Sequence, residues 1–159
     1  MPKEIERKFL VNLDRVGLPS QGIEIKQGYF PMATGIKFTV RIRIKNNTAF
    51  LTVKGENSGP TRSEYEYPIP IDEALEMLEN YCQKPYIEKT RYELSFGKHI
   101  WEIDIFHGEN EGLLLAEIEL SSEAEEFDVP GWVTDEVTDD PKYYNSNLLL
   151  KPYKKWGAT

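Results

Sequence analysis

The segment Glu4-Ile5-Glu6-Arg7-Lys8-Phe9-Leu10-Val11 decides how the rest of the chain is interpreted. Alternate side chains of an extended strand point to the same face, so Glu4, Glu6 and Lys8 share one side, and Phe9 lies on the other. Two carboxylates and an ammonium group therefore form a row on one strand. A single row of this kind normally faces water. Later segments of the chain repeat the pattern, and this repetition sets the interpretation.

Alternation of polar and apolar residues predicts seven further strands. They lie at residues 23–30, 37–45, 48–54, 61–67, 86–96, 99–106 and 113–120. The dipeptides Asn46-Asn47 and Gly97-Lys98 suit tight hairpin turns, because Asn and Gly tolerate positive φ. About eight strands with mostly hairpin-length connections favour an antiparallel β-barrel over a doubly wound fold.

Few helices are expected beside these strands. Asp72 is a suitable N-cap for a helix that runs to residue 81 or 82 and packs on the outside of the sheet. Its apolar positions at helical spacing are Ala74, Leu75, Leu78, Tyr81 and Cys82. A short helix is predicted at residues 145–150. The expected fold is therefore mainly β within the α+β class, as an eight-stranded antiparallel barrel with a few flanking helices. Residues 1–159 are expected to form one domain.

Composition narrows the classes of partner. The 159 residues carry a formal net charge of −8, which disfavours a nucleic-acid binder. The chain has no apolar run long enough to span a bilayer and no apolar leader segment at its start. Its one cysteine, Cys82, cannot form an internal disulfide and is expected to be buried. These features predict a cytoplasmic protein without a membrane partner.

Ionisable residues of matching parity recur through the chain. The basic set is Lys8, Arg41, Arg43, Lys54, Arg62, Lys89 and Arg91. The acidic set is Glu4, Glu6, Glu64, Glu66, Glu102, Asp104, Glu117 and Glu119. A solvated sheet face is the simplest explanation for any single pair. Cations and carboxylates that cluster separately repel their own kind, however, and the pairs recur on several strands. A lumen where divalent metal and phosphate bridge the two sets accounts for all of them.

The donor types select the metal. Carboxylate oxygens suit Mg²⁺ or Mn²⁺, which proteins commonly share with substrate phosphates. One cysteine and two histidines, His99 and His107, do not provide a tetrahedral zinc site, and both histidines are expected at the surface.

Several motifs together resemble the CYTH superfamily, the triphosphate tunnel metalloenzymes, in its small bacterial stand-alone branch. Residues 4–8 resemble the ExExK signature of that family. Supporting matches, in chain order, are Gln27-Gly28-Tyr29, Arg41-Ile42-Arg43, Leu51-Thr52-Val53-Lys54, Glu64-Tyr65-Glu66, Glu88-Lys89-Thr90-Arg91-Tyr92, Glu102-Ile103-Asp104, Glu117-Ile118-Glu119 and Glu136-Val137-Thr138-Asp139 with Lys142-Tyr143 and Asn145. The resemblance covers essentially the whole chain.

The resemblance implies roles for these residues in an eight-stranded tunnel. Metal ligands would come from Glu4, Glu6, Glu117 and Glu119, with Asp104, Glu64 and Glu66 as further candidates. Phosphates would be held by Lys8, Arg41, Arg43, Lys54, Arg62, Lys89 and Arg91. Catalysis would involve Glu6, Lys8 and Tyr29, the last of which would position or deprotonate water. A tyrosine that only packs in the barrel is the alternative for Tyr29.

By the same resemblance, the expected activity is metal-dependent hydrolysis of inorganic tripolyphosphate to pyrophosphate and phosphate. A class IV-type adenylate cyclase and a hydrolase of nucleoside or thiamine triphosphate remain open on the same scaffold. A polyphosphate-binding module without activity is the non-enzymatic alternative. A small-molecule triphosphate is the expected partner, and a homodimer is left open.

Overall fold

Strands make up most of the described structure, a computed structural model covering residues 2–157. They are β1 (Lys3–Val11), β2 (Ile23–Tyr29), β3 (Thr39–Lys45), β4 (Thr48–Lys54), β5 (Thr61–Ile69), β6 (Ile87–Phe96), β7 (His99–Phe106), β8 (Leu114–Glu119) and β9 (Val133–Glu136). The α-helices are α1 (Ile71–Tyr81) and α2 (Asn145–Leu148). No helix in this part of the chain has the length and hydropathy needed to cross a membrane.

Eight of the strands close into an antiparallel barrel. Their order is β5-β4-β3-β2-β6-β7-β8-β1, and β1 pairs again with β5 through residues 3–5 and 61–63. β9 pairs with the later part of β1, along the edge that β5 leaves free. The predicted eight-stranded barrel with few helices is confirmed. β9 was not predicted, because only one of its four residues is apolar. The predicted domain bounds, 1–159, include three residues that lie outside the described part.

Details of two predicted elements are wrong. β3 begins at Thr39 rather than at residue 37, because Lys37 and Phe38 lie on an exposed loop. The N-cap of α1 is Pro70 rather than Asp72. Asp72 lies instead in the first turn of α1, where a carboxylate interacts favourably with the positive end of the helix dipole.

Helix α1 covers the outside of β2, β3 and β4 with one narrow stripe. Ala74, Leu78 and Cys82 are buried there, which confirms the expectation for the cysteine. The predicted apolar face was too wide, since Leu75 and Tyr81 are exposed. Gly28 permits the close approach of the helix, because a Cβ at this position would lie 2.8 Å from Cδ2 of Leu78.

Loops rather than a helix cover the opposite side of the barrel. Outward-facing residues of β1, β7 and β8 form an apolar cluster there, with Trp101 and Ile103 at 0% exposure. Trp132 and Phe127, which precede β9, pack on this cluster with their rings edge to face against Trp101. The polar loop that precedes β9 in the sequence therefore contributes to the core.

Inside the barrel, the inward-facing positions change from charged to apolar along several strands. Lys8 is followed by Leu10 at the next inward position, and Asp104 by Phe106. The apolar positions pack with Tyr143 and Leu148 of the C-terminal segment, which we define as residues 137–157. The buried residues of this cluster are Tyr29, Ile87, Phe106, Leu113, Leu115, Tyr143 and Leu148. The charged part of the interior is thus bounded on one side by an apolar cluster.

This packing predicts that the C-terminal segment stabilises the barrel. Leu148 is fully buried, so Leu148→Ala should lower the free energy of unfolding by about 2–5 kcal/mol. Leu150→Ala is the matched control, because Leu150 is 79% exposed and its truncation should change the free energy little. Urea denaturation of the two variants provides the measurement. Equal effects would show that the segment is not part of the core.

Candidate functional site

The inward faces of the strands bring both charge sets to one cavity. Its lining residues are Glu6, Lys8, Tyr29, Thr39, Arg41, Arg43, Lys54, Arg62, Glu117, Tyr144, Asn145 and Ser146. An adjoining cavity between β1, the loop before β5 and the C-terminal segment shares Glu6, Lys8, Arg62 and Tyr144 with it. Five of the seven predicted phosphate-binding residues therefore line a single space, together with two of the predicted metal ligands and Tyr29.

Four charged residues form an ion network where β1, β4 and β5 meet. Lys54 Nζ lies 3.0 Å from Glu4 Oε2 and 3.1 Å from Glu64 Oε2, and Arg62 Nε lies 3.6 Å from Glu4 Oε1. Burial raises the pKa of Glu4, but Lys54, a hydrogen bond with Glu64, and Arg62 outweigh it and hold that pKa well below its ordinary value. Burial, with the Glu4 hydrogen bond next, raises the pKa of Glu64 to about 7. In this arrangement the oxygens of Glu4 are occupied by cations.

A second ion network joins β6 and β7, with Lys89, Arg91 and Asp104 buried and Glu102 partly exposed. Arg91 donates from Nε and Nη2 to both oxygens of Asp104, at 2.8 and 2.9 Å, and from Nη1 to Glu102 at 3.1 Å. Lys89 Nζ lies 2.8 Å from Asp104 Oδ2. Burial raises the pKa of Asp104, but Arg91 and Lys89 bring it down to about 2. Burial lowers the pKa of Lys89 to about 7 despite the charge of Asp104.

The two arginines of β3, Arg41 and Arg43, differ from Lys89 and Arg91, because their guanidinium groups have few charged partners. Arg41 donates from Nη2 to Thr52 at 3.2 Å and to Glu66 at 3.5 Å, while its Nε is buried with no hydrogen-bond partner in the described structure. Arg43 donates from Nε to the neutral side chain of Gln27 at 2.8 Å. Burial, followed by repulsion from Arg41, lowers the pKa of Arg43 to about 9. Both guanidinium groups therefore have further N–H donors that an anion in the cavity could accept from.

Three carboxylates converge beside these cations. Glu6, Glu102 and Glu117 each place one oxygen within 4.8 Å of the others. Burial, and then the charges of Glu117 and Glu4, raise the pKa of Glu6 well above its ordinary value. Lys8 Nζ lies 3.7 Å from Glu117 Oε1. An all-oxygen set of this kind fits a hard divalent cation, which would also relieve the repulsion between the carboxylates.

The remaining predicted metal ligands are not members of this three-carboxylate cluster, although some of them are its neighbours. Glu119 is exposed and pairs in register with Glu6. Glu66 is exposed and accepts hydrogen bonds from Arg41 and from the Thr52 hydroxyl, the latter at 3.0 Å. Both histidines lie outside the two cavities: His107 is exposed, and His99 contacts Glu125 on the outside of the barrel.

Some residues of the site were not selected from the sequence. Glu102 had the right parity but was not proposed as a ligand, although the motif around Ile103 contained it. Gln27 is fully buried beside Tyr29, and its inward parity was the available signal. Asn145 accepts a hydrogen bond from Lys89 at 2.9 Å; it belonged to one of the family motifs but was given no role, because its segment has no strand periodicity.

Comparisons with known proteins agree with this geometry. Residues 2–147 match the CYTH domain family. An inorganic triphosphatase of Acetivibrio thermocellus is 49% identical over 156 residues, which is 98% of this chain and 99% of that protein. An inorganic triphosphatase of Nitrosomonas europaea is 38% identical over 151 residues, which is 92% of this chain and 97% of that protein.

A solved structure supports the same relationship at the level of the fold. The crystal structure of an inorganic triphosphatase superimposes with a TM-score of 0.64 and 34% identity, over 94% of this chain and 96% of that one. Because the sequence, the barrel and the inward-facing charges all match, the chain belongs to the CYTH family.

Proposed function

We propose that this protein is a metal-dependent hydrolase that cleaves inorganic tripolyphosphate to pyrophosphate and phosphate, with residues 1–159 as one CYTH domain. The observation that carries the proposal is one cavity where Lys8, Arg41, Arg43, Lys54 and Arg62 face a cluster of carboxylates. The relatives named inorganic triphosphatase support the same substrate.

The cations would bind the phosphate chain. Arg41 and Arg43 both line the cavity, where phosphate oxygens would accept hydrogen bonds from their guanidinium groups. Arginine side chains suit bidentate contacts with phosphate, and Lys8 and Lys54 would add point charges. Phosphoryl transfer depends mainly on positioning and on neutralising charge in the transition state, so a wall of fixed cations provides what the reaction needs.

The carboxylate cluster would hold the metal. Glu6, Glu102 and Glu117 fit Mg²⁺ or Mn²⁺ by donor type and by spacing. When bound, the ion would act as a Lewis acid on phosphate oxygens. Glu6, Lys8 and Tyr29 are the proposed catalytic residues, because all three line the cavity where the reacting groups would lie.

The residues that line the cavity favour a substrate without a nucleobase or other ring. A nucleobase or thiamine ring binds best in an apolar or aromatic slot. The apolar residues beside the charged interior, such as Phe106 and Leu115, are at most 1% exposed because the C-terminal segment packs on them. Within residues 2–157, the lining of the cavity consists of charged and polar side chains and the two tyrosines Tyr29 and Tyr144, with no aliphatic side chain.

Substrate preference provides the first test. The purified protein should release phosphate faster from tripolyphosphate than from ATP or thiamine triphosphate, with Mg²⁺ or Mn²⁺, and EDTA should stop the reaction. Cyclic AMP as the main product from ATP would indicate a cyclase instead. Tripolyphosphate binding that persists in EDTA without turnover, measured by calorimetry, would favour a binding module.

The role of the three-carboxylate cluster in metal binding is tested by Glu6→Gln. The amide keeps the shape of the side chain and removes its charge, so turnover of tripolyphosphate should fall about 100-fold or more. Glu88→Gln is the matched control, because Glu88 is exposed on the outside of the barrel and should leave the rate unchanged. A rate for Glu6→Gln close to that of the wild type would remove Glu6 from the site.

We further propose that Asp104 orients Lys89 and Arg91 rather than binding metal. Asp104→Asn would leave two buried cations without their main partner and should lower the free energy of unfolding by about 3 kcal/mol, measured in urea. Asp139→Asn, at an exposed position, is the control. The metal concentration for half-maximal activity should stay unchanged. A large increase in that concentration would make Asp104 a ligand.

A further inference from the structure

Gln27 connects three residues of the cavity although it is fully buried. It lies on β2, and its Oε1 accepts a hydrogen bond from Arg43 Nε at 2.8 Å. Its Nε2 donates to the Tyr29 hydroxyl oxygen at 3.0 Å and to Asn145 Oδ1 at 3.3 Å. Asn145 Oδ1 also accepts from Lys89 Nζ at 2.9 Å. A continuous chain of hydrogen bonds therefore joins Arg43 to Lys89 through two neutral amides.

The directions of the hydrogen bonds in this chain follow from Arg43 at one end. A guanidinium group only donates, so the Gln27 atom that faces Arg43 must be the carbonyl oxygen. The Asn145 atom in contact with the Gln27 nitrogen must in turn be its oxygen, to which Lys89 Nζ also donates. The amide nitrogen of Gln27 then faces Asn145 and Tyr29. The Arg43 guanidinium thus assigns the orientation of both side-chain amides.

The fixed direction determines what the Tyr29 hydroxyl can do. Its oxygen accepts a hydrogen from Gln27, so the Tyr29 proton points away from that contact. Within residues 2–157 no acceptor receives this proton, and the side chain lines the cavity. Gln27 therefore leaves the hydroxyl as a donor toward whatever occupies the cavity.

We propose that Gln27 is a positioning residue that makes Tyr29 a hydrogen-bond donor to a phosphate oxygen of the substrate. The inference rests on the proposed function and deepens it. A donor at this position would stabilise negative charge that develops on the phosphate chain during cleavage. Gln27 acts only through Tyr29 and Arg43, since its own polar atoms are all engaged with protein groups.

Gln27→Glu tests the direction of the hydrogen bond. The carboxylate has nearly the same shape and still accepts from Arg43, but it also accepts from Tyr29 and so captures the proton meant for the substrate. We expect kcat for tripolyphosphate to fall about tenfold or more, and Tyr29→Phe to have a similar effect. Because both changes remove one interaction, the double variant should be no slower than the slower single variant. KM should also rise, with or without Tyr29, because the new carboxylate neutralises part of the charge of Arg43, so the loss assigned to Tyr29 is read from kcat.

Controls separate this effect from charge and from folding. Gln21→Glu makes the same change in net charge at an exposed loop position and should keep the kcat of the wild type. Thermal melting checks that each variant is folded. If Gln27→Glu does not fold, Gln27→Met takes its place. It should also lower kcat only when Tyr29 is present, and it should raise KM in both backgrounds because Arg43 loses its acceptor.

The possible outcomes are distinct. A wild-type protein that does not hydrolyse tripolyphosphate overturns the proposed function, and the inference with it. An active wild type whose Gln27→Glu variant keeps full kcat overturns the inference alone. Losses that multiply in the double variant also overturn it, because Gln27 would then act independently of Tyr29.

Discussion

Buried charge must find a partner, and this constraint organises the interior of the barrel. Lys54, Arg91 and Asp104 each have side chains that are less than 10% exposed, and each contacts an opposite charge. Removing an ion from water costs several kcal/mol even after relaxation, so these contacts are needed for the barrel to hold such residues at all. Phosphate and metal compete for the same groups, which ties ligand binding to the stability of the interior.

The buried cations differ in how far carboxylates neutralise them. This difference separates cations with a structural role from cations that are available to a substrate. Arg91 donates three hydrogen bonds to Asp104 and Glu102, and it resembles a fixed part of the wall. Arg43 donates to a neutral amide instead, and Arg41 has one nitrogen without a hydrogen-bond partner among residues 2–157. A neutral amide can hold a guanidinium in place without cancelling its charge. Uncharged acceptors are therefore suited to places where a protein must orient a cation and still leave it attractive to an anion.

Strand alternation predicted the barrel and the inward-facing charges, because parity alone determines the face of a sheet. It did not determine which carboxylates would approach one another. Glu102 and Glu117 are opposite each other on β7 and β8, and that register depends on pairing that no single strand reveals. The short helix predicted at residues 145–150 is present as α2, but the packing of the C-terminal segment was not predictable, since contacts such as that between Lys8 and Thr138 span 130 residues and follow no local period.

The same C-terminal segment both closes the apolar side of the interior and completes the polar network. Leu148 packs with Phe106 and Leu115, and three residues earlier Asn145 accepts from Lys89. Apolar packing thus fixes the position of a polar group that the neighbouring cations require. Because one short segment supplies both contacts, loss of its packing would also misplace the acceptor that holds Lys89. The geometry of the charged cavity is therefore coupled to the apolar cluster beside it, although one is held by hydrogen bonds and ion pairs and the other by apolar packing.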